Sequence, residues 1–157
     1  MTCDILIIQF PPPVPGEEFP LDKMKDVWKV VEEVARKGVA PVVGTADLDK
    51  DQLEHLHSWA QVKPSVTQVN LESCCQMPPD LVAYAKEVDV RLHSHNDDRD
   101  VLPRETLIQC LTSANTPQEA ASRWSPVWVL KYTSQARTRN VLGHRGFIVA
   151  AAAGAKN

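Results

Sequence analysis

No apolar run in this sequence is long enough to cross a bilayer. The longest, Phe147 to Ala153, falls far short of the ~20 residues that a spanning helix needs. The four cysteines (Cys3, Cys74, Cys75 and Cys110) show no framework spacing, which argues against a disulfide-stapled scaffold and for a reducing compartment. The opening Met-Thr-Cys-Asp lacks the basic-then-apolar layout of a secretory leader, so a cytoplasmic location is expected. Neither G-x-G-x-x-G nor a P-loop occurs, and direct nucleotide binding has no motif behind it. Excess positive charge is also missing. With 17 Lys and Arg against 20 Asp and Glu, the net charge of −3 leaves no electrostatic footprint for nucleic acid or an anionic membrane.

What is present fits one soluble domain: 157 residues, 43% hydrophobic and 24% charged. Asp4 to Phe10 is a nearly continuous apolar run, as in a strand buried on both faces. A stiff Pro11-Pro12-Pro13-Val14-Pro15-Gly16 segment follows. A helix is expected over Asp22 to Lys37, with Val27, Val30, Val31 and Val34 on one face and Gly38 at its end. Val39 to Val43 is the next buried strand. Asp47 or Asp49 caps a helix carrying Leu53, Leu56 and Ala60. Strand three covers Val66 to Leu71, and strand four Val88 to His93. Such strand–helix alternation argues for a parallel sheet with right-handed crossovers. Beyond His95 the rhythm weakens. Leu102 to Leu111 reads as one more helix and Ser113 to Ser125 as loop. From Val127 on, a β-hairpin bending near Arg137–Asn140 competes with a helix over Pro126 to Arg137. The domain is thus read as βα units over 1–112 and a loop with a C-terminal arm over 113–157.

The most distinctive stretch is Gln68-Val69-Asn70-Leu71-Glu72-Ser73-Cys74-Cys75-Gln76-Met77-Pro78-Pro79-Asp80-Leu81. A strand runs into two adjacent cysteines, a double proline breaks the chain, and Asp80 opens a helix with Leu81, Tyr84, Ala85 and Val88 on one face. The pair therefore sits at the C-terminal mouth of a strand, the rim that carries function in α/β folds. Adjacent Cα atoms lie only about 3.8 Å apart, so a bridge between Cys74 and Cys75 would be strained. Strand alternation sends the two thiols to opposite sides, one buried and one open at the rim.

Gly44-Thr45-Ala46-Asp47-Leu48-Asp49-Lys50-x-Gln52-Leu53, then Trp59-Ala60-Gln61-Val62-Lys63-Pro64, the Cys-Cys segment and His95-Asn96-Asp97 closely resemble the modifier (regulatory) subunits of glutamate–cysteine ligase. Trp124-x-Pro126-x-Trp128-x-Leu130-x-Tyr132 and Gly146-Phe147-Ile148 fit as well. The resemblance runs from Asp4 to about Val149. It implies a fold of the aldo-keto reductase type, an α/β (β/α)8 TIM barrel, of which this chain would hold the C-terminal half with a β-hairpin arm. Asp4–Phe10 would then be the fourth barrel strand, left with an unpaired edge, and the chain is expected to be N-terminally truncated. The implied role is that of a non-catalytic regulatory subunit. It would bind and activate the catalytic subunit of an ATP-dependent glutamate–cysteine ligase, as a cytoplasmic heterodimer in glutathione biosynthesis.

The alternative is an NADPH-dependent reductase. In the reductases a histidine stands where this chain has Gln9, and glutamine cannot shuttle protons near neutral pH. Of the nicotinamide clamp, only Gln68 survives, beside Ala46-Asp47. No catalytic, cofactor-binding or metal-binding residues are therefore assigned. His93, His95, Asn96 and Asp97 form either a metal cluster or a polar strand-end loop. His55 and His57 read as a solvated helix flank. Arg137, Arg139, His144 and Arg145 form either an anion site or a charged turn. Trp28 and Trp59 fall on helices. Trp124 and Trp128 are the tryptophans first suspected of an interface role. The candidate partner-binding or redox residues are Cys74, Cys75, Gln76, Met77, Trp124 and Trp128.

Overall fold

The computed structural model describes residues 2–11, 13, 16–72, 76–98, 100–136 and 141–154. It divides into two compact units, residues 1–97 and 98–157.

The first unit alternates strand and helix: β1 (Ile5–Gln9), α1 (Leu21–Arg36), β2 (Val42–Ala46), α2 (Lys50–Trp59), β3 (Val66–Asn70), α3 (Pro79–Glu87) and β4 (Arg91–His95). The strands form one parallel sheet in the order β1-β2-β3-β4, so each helix crosses between neighbouring strands. Strand β1 is an edge, with Ile5 44% exposed. Leu6, Ile8, Val43, Val69 and Leu92 point to the face on which Met24, Trp28, Val31, Leu53, Leu56 and Leu81 gather as the core. On the same face the Thr45 and Thr67 hydroxyls, both fully buried, bond each other at 3.1 Å, which removes the cost of hiding either alone. On the other face Gly44 lies against Val66. A Cβ there would come within 2.2 Å of the Val66 carbonyl oxygen, so the strand contact admits only glycine.

Helix α1 buries Met24, Trp28, Val31 and Glu32. The valine face expected from spacing is rotated, since Val27 and Val30 are 43% and 61% exposed. The reason is Trp28, whose fully buried ring centres the stripe and whose Nε1 donates to the Val62 carbonyl at 3.0 Å. Glu32, 4% exposed, grips the same loop. Its Oε1 accepts from the Gln61 and Val62 amides at 2.7 and 3.1 Å, and Oε2 accepts from Arg36 at 2.9 Å. Gly38, at φ 70°, lets the chain leave the helix. Asp49 and Gln52 form a reciprocal capping box on α2. Helix α3 starts one residue before Asp80, with Pro78 as its N-cap. Asp80 lies in the first turn, where its carboxylate suits the helix dipole.

The α2–α3 seam corrects another expectation. His57 is half-buried, edge-on to Tyr84 at 6.3 Å, and His55 is also half-buried. Lys50 sits over the Tyr84 ring at 5.8 Å. Burial, and then Lys63, push the His57 imidazole below its ordinary range. Burial, then Glu54, raises the Tyr84 phenol.

The second unit contains α4 (Arg104–Ser113), a short α5 (Gln118–Ala121) and an antiparallel ribbon of β5 (Trp124–Ala136) and β6 (Val141–Ala153). The hairpin reading holds and the rival helix does not form. Part of the stretch read as loop is helical, because Pro117 caps α5. Strand four begins later than expected, since Val88 closes α3 and Arg91 opens β4. Arg104 ties α4 to the ribbon base, through Ser125 Oγ at 3.0 Å and the Ser122 carbonyl. The Tyr132 ring lies across Gly146, its register partner, where a Cβ would meet the phenol oxygen at 2.8 Å.

Candidate functional site

Parallel pairing brings the C-terminal ends of four strands to one rim: Gln9, Ala46, Asn70 and His95. Just past β2 the chain turns through Asp47 at φ 61°, a left-handed conformation that aspartate tolerates better than most side chains. The Asp47 amide still donates to the Gln68 carbonyl at 2.9 Å, so the residue remains tied to β3. The turn aims its carboxylate along the rim, where it becomes a hub. Oδ1 accepts from the Asn70 amide at 2.9 Å and meets His95 Nε2 at 3.0 Å, while Oδ2 accepts from Gln9 Nε2 at 2.7 Å.

These bonds assign the imidazole. A carboxylate only accepts, so His95 Nε2 donates to Asp47. The Asp97 amide points at Nδ1 at 3.4 Å, with the Asp97 carboxylate 3.6 Å away. Asn70 completes the ring by donating to the Asp97 carbonyl at 2.7 Å and accepting from the Glu72 amide at 2.8 Å. The His95 side chain is only 11% exposed. A general base needs a free nitrogen within reach of substrate. Here both ring nitrogens are engaged by the protein, and the arrangement holds strand ends together. Among the described residues no group of three or more His, Cys, Asp or Glu is placed to hold a metal ion. His93, which shares a sheet row with Gln9 and Gln68, is exposed and takes no part in the hub.

Of the residues singled out from sequence, Cys74 and Cys75 lie outside the described residues. Gln76 is exposed and Met77 half-buried, ahead of α3 in the first unit. In the second, Trp124 is half-buried and Trp128 is 52% exposed. The central role of Asp47 was missed. One signal was available: Asp49-x-x-Gln52 already supplied a complete capping box, which freed Asp47 for other work.

No family model matches the chain. Several curated relatives do, among them proteins named glutamate–cysteine ligase regulatory subunit. The human protein is 39% identical and the rat protein 38% identical, each over 148 residues, which is 94% of this chain and 54% of the relative. The chain thus spans about half the length of the curated relatives it matches. Among solved structures, an aldo-keto reductase from Brucella melitensis superposes with a TM-score of 0.50 at 17% identity. The match covers 74% of this chain and 43% of that one. The fold is therefore shared with part of an aldo-keto reductase barrel, as the resemblance implied.

Proposed function

We propose that this chain acts as a regulatory, non-catalytic component of a glutamate–cysteine ligase, engaging the catalytic subunit in glutathione synthesis. The observation that carries this reading is the 39% identity to the human regulatory subunit across 94% of the chain. The rim chemistry agrees with it. At the position of the reductase histidine, Gln9 spends its amide on Asp47, and the nearby His95 has no free nitrogen for proton transfer. Regulation of this kind is a coupling free energy, in which the component binds one conformation of the catalytic subunit better than another. The cytoplasm is the compartment in which this partnership would operate.

The test is a titration of purified catalytic subunit with this chain, following both complex formation and ligase rate at limiting glutamate. A saturable change in rate together with a stable complex is expected. No complex and no change of rate at micromolar chain would overturn the proposal. In parallel, NADPH-dependent turnover of a panel of aldehydes is expected to be absent.

A further inference from the structure

Charge is divided sharply along this sequence. The last carboxylate is Glu119. Residues 120–157 carry Arg123, Lys131, Arg137, Arg139, Arg145 and Lys156 and no Asp or Glu, while every one of the 20 Asp and Glu lies before them. The ribbon is therefore basic on a chain that is acidic elsewhere.

It is also apolar on both faces. Residues paired across an antiparallel ribbon point the same way. Trp128 with Ala150, Leu130 with Ile148 and Tyr132 with Gly146 make one face. Val129 with Val149, Lys131 with Phe147 and Thr133 with Arg145 make the other. On the first face Trp128 and Ile148 are 52% and 51% exposed, and on the second Phe147 is 58% exposed. A register shift between Pro126 and Trp128 leaves Val127 unpaired and 64% exposed. Single exposed apolar residues are ordinary, but a contiguous set on both faces of a thin ribbon marks an interaction surface.

We infer that the β5–β6 ribbon inserts into an apolar cleft, bordered by carboxylates, on the catalytic subunit. This rests on the regulatory reading above and names the surface it uses. A cleft is required by area. Strands of 13 residues rise about 40 Å and a two-stranded ribbon is about 10 Å wide, so one face presents on the order of 400 Å². A standard interface takes about 800 Å² from each partner, which needs both faces. Carboxylates at the border follow from charge, since residues 120–157 carry a net positive charge with Lys and Arg but no Asp or Glu. The aromatic rings of Trp128 and Phe147 are the anchors, being large, stiff and open to solvent.

The test uses the full chain and purified catalytic subunit. Trp128→Ser combined with Phe147→Ser should weaken the complex by roughly thirtyfold or more, the scale of lost hot-spot anchors. Arg145→Glu leaves every apolar side chain in place and separates docking from hairpin folding. It should weaken the complex by about three- to tenfold at low salt, and less as salt rises. Unchanged affinity in both variants, with the parent still bound, overturns the ribbon assignment and leaves the regulatory reading standing. Failure of the parent to bind removes both. Conversion of a parent dimer to monomer by the double variant, with affinity for the catalytic subunit unaltered, would assign the ribbon to self-association instead and overturn the inference. Tight binding of single-stranded nucleic acid that is lost in Arg145→Glu, with catalytic-subunit affinity unchanged, would do the same.

Discussion

In residues 1–97, several polar groups that leave water find partners inside the unit, His55 Nε2 being an exception. Glu32 takes two amides and a guanidinium, Thr45 takes Thr67, and Asp47 takes Gln9, Asn70 and His95. In residues 98–157 the opposite problem stands open. Leu107 and Ala121 are the buried apolar residues among those described there, whereas Val127, Trp128, Tyr132, Phe147 and Ile148 face solvent. A helix-covered parallel sheet can complete its own core. A two-stranded ribbon has no interior, is at best marginally stable alone in water, and gains by being covered. The first unit covers most of its apolar residues, and the second leaves most of its own open.

That contrast can be broken at its strongest point. Trp28→Ala empties the centre of the first core and cuts the bond to Val62; it should cost about 3–5 kcal/mol. Urea unfolding followed by far-UV circular dichroism would measure it. A loss below about 0.5 kcal/mol, the level of an ordinary surface change, would mean that the core is not centred on α1. Next in size, Glu32→Ala leaves the Gln61 and Val62 amides unpaired, for about 1–3 kcal/mol. Amide exchange at those two positions should quicken, and Glu32→Gln, which retains the acceptor, should restore most of the protection.

Asp47→Ala should cost about 1–2 kcal/mol, because three donors lose their acceptor on a partly solvated rim. Asp47→Asn, also tolerant of φ 61°, should lose less. Equal losses would show that the backbone turn, and not the hub, is what matters. By contrast, Trp128→Ser with Phe147→Ser should move the unfolding free energy of the chain alone by less than about 0.5 kcal/mol, as exposed positions do. A loss as large as that of Trp28→Ala would erase the distinction between the two regions.

The smallest effect is one of pH. Burial and, second, Lys63 push the folded pKa of His57 below its ordinary value of about 6.5. As pH falls, the unfolded chain takes up this proton first. The contribution to stability is present above about pH 6.5 and is lost as pH drops through the folded value. His57→Gln should flatten the acid limb of the stability profile over that window. An unchanged slope would mean that His57 titrates alike in both states.

Much of the fold was legible in the sequence because it rests on local chemistry. The apolar run of β1, the Asp49–Gln52 box, Gly38 after α1 and the prolines ahead of α3 mark their own boundaries. The alternation of strand and helix follows from them, while the hairpin was one of two readings of its segment. The site was less legible. Gln9, Asp47, Asn70 and His95 are each ordinary in sequence, up to 86 positions apart between Gln9 and His95. They become one network only because parallel register aligns four strand ends on one rim.

By itself, then, the sequence determined the strand–helix alternation of the first unit, since periodicity, caps and turn residues act over a few positions; the α5 turn and the choice of hairpin over helix in the second unit came from the structure. It also determined the charge division that leaves the ribbon basic. Tertiary structure alone decided which face of α1 turns inward. Val27 and Val30, at good helical spacing, lost that place to Trp28 and Glu32, whose indole and carboxylate reach the loop at Gln61 and Val62. Tertiary structure also decided that His95 is locked. Its neighbours in space, Asp47 and Asp97, occupy both ring nitrogens, and no count along the chain reveals what surrounds an imidazole once the sheet has formed.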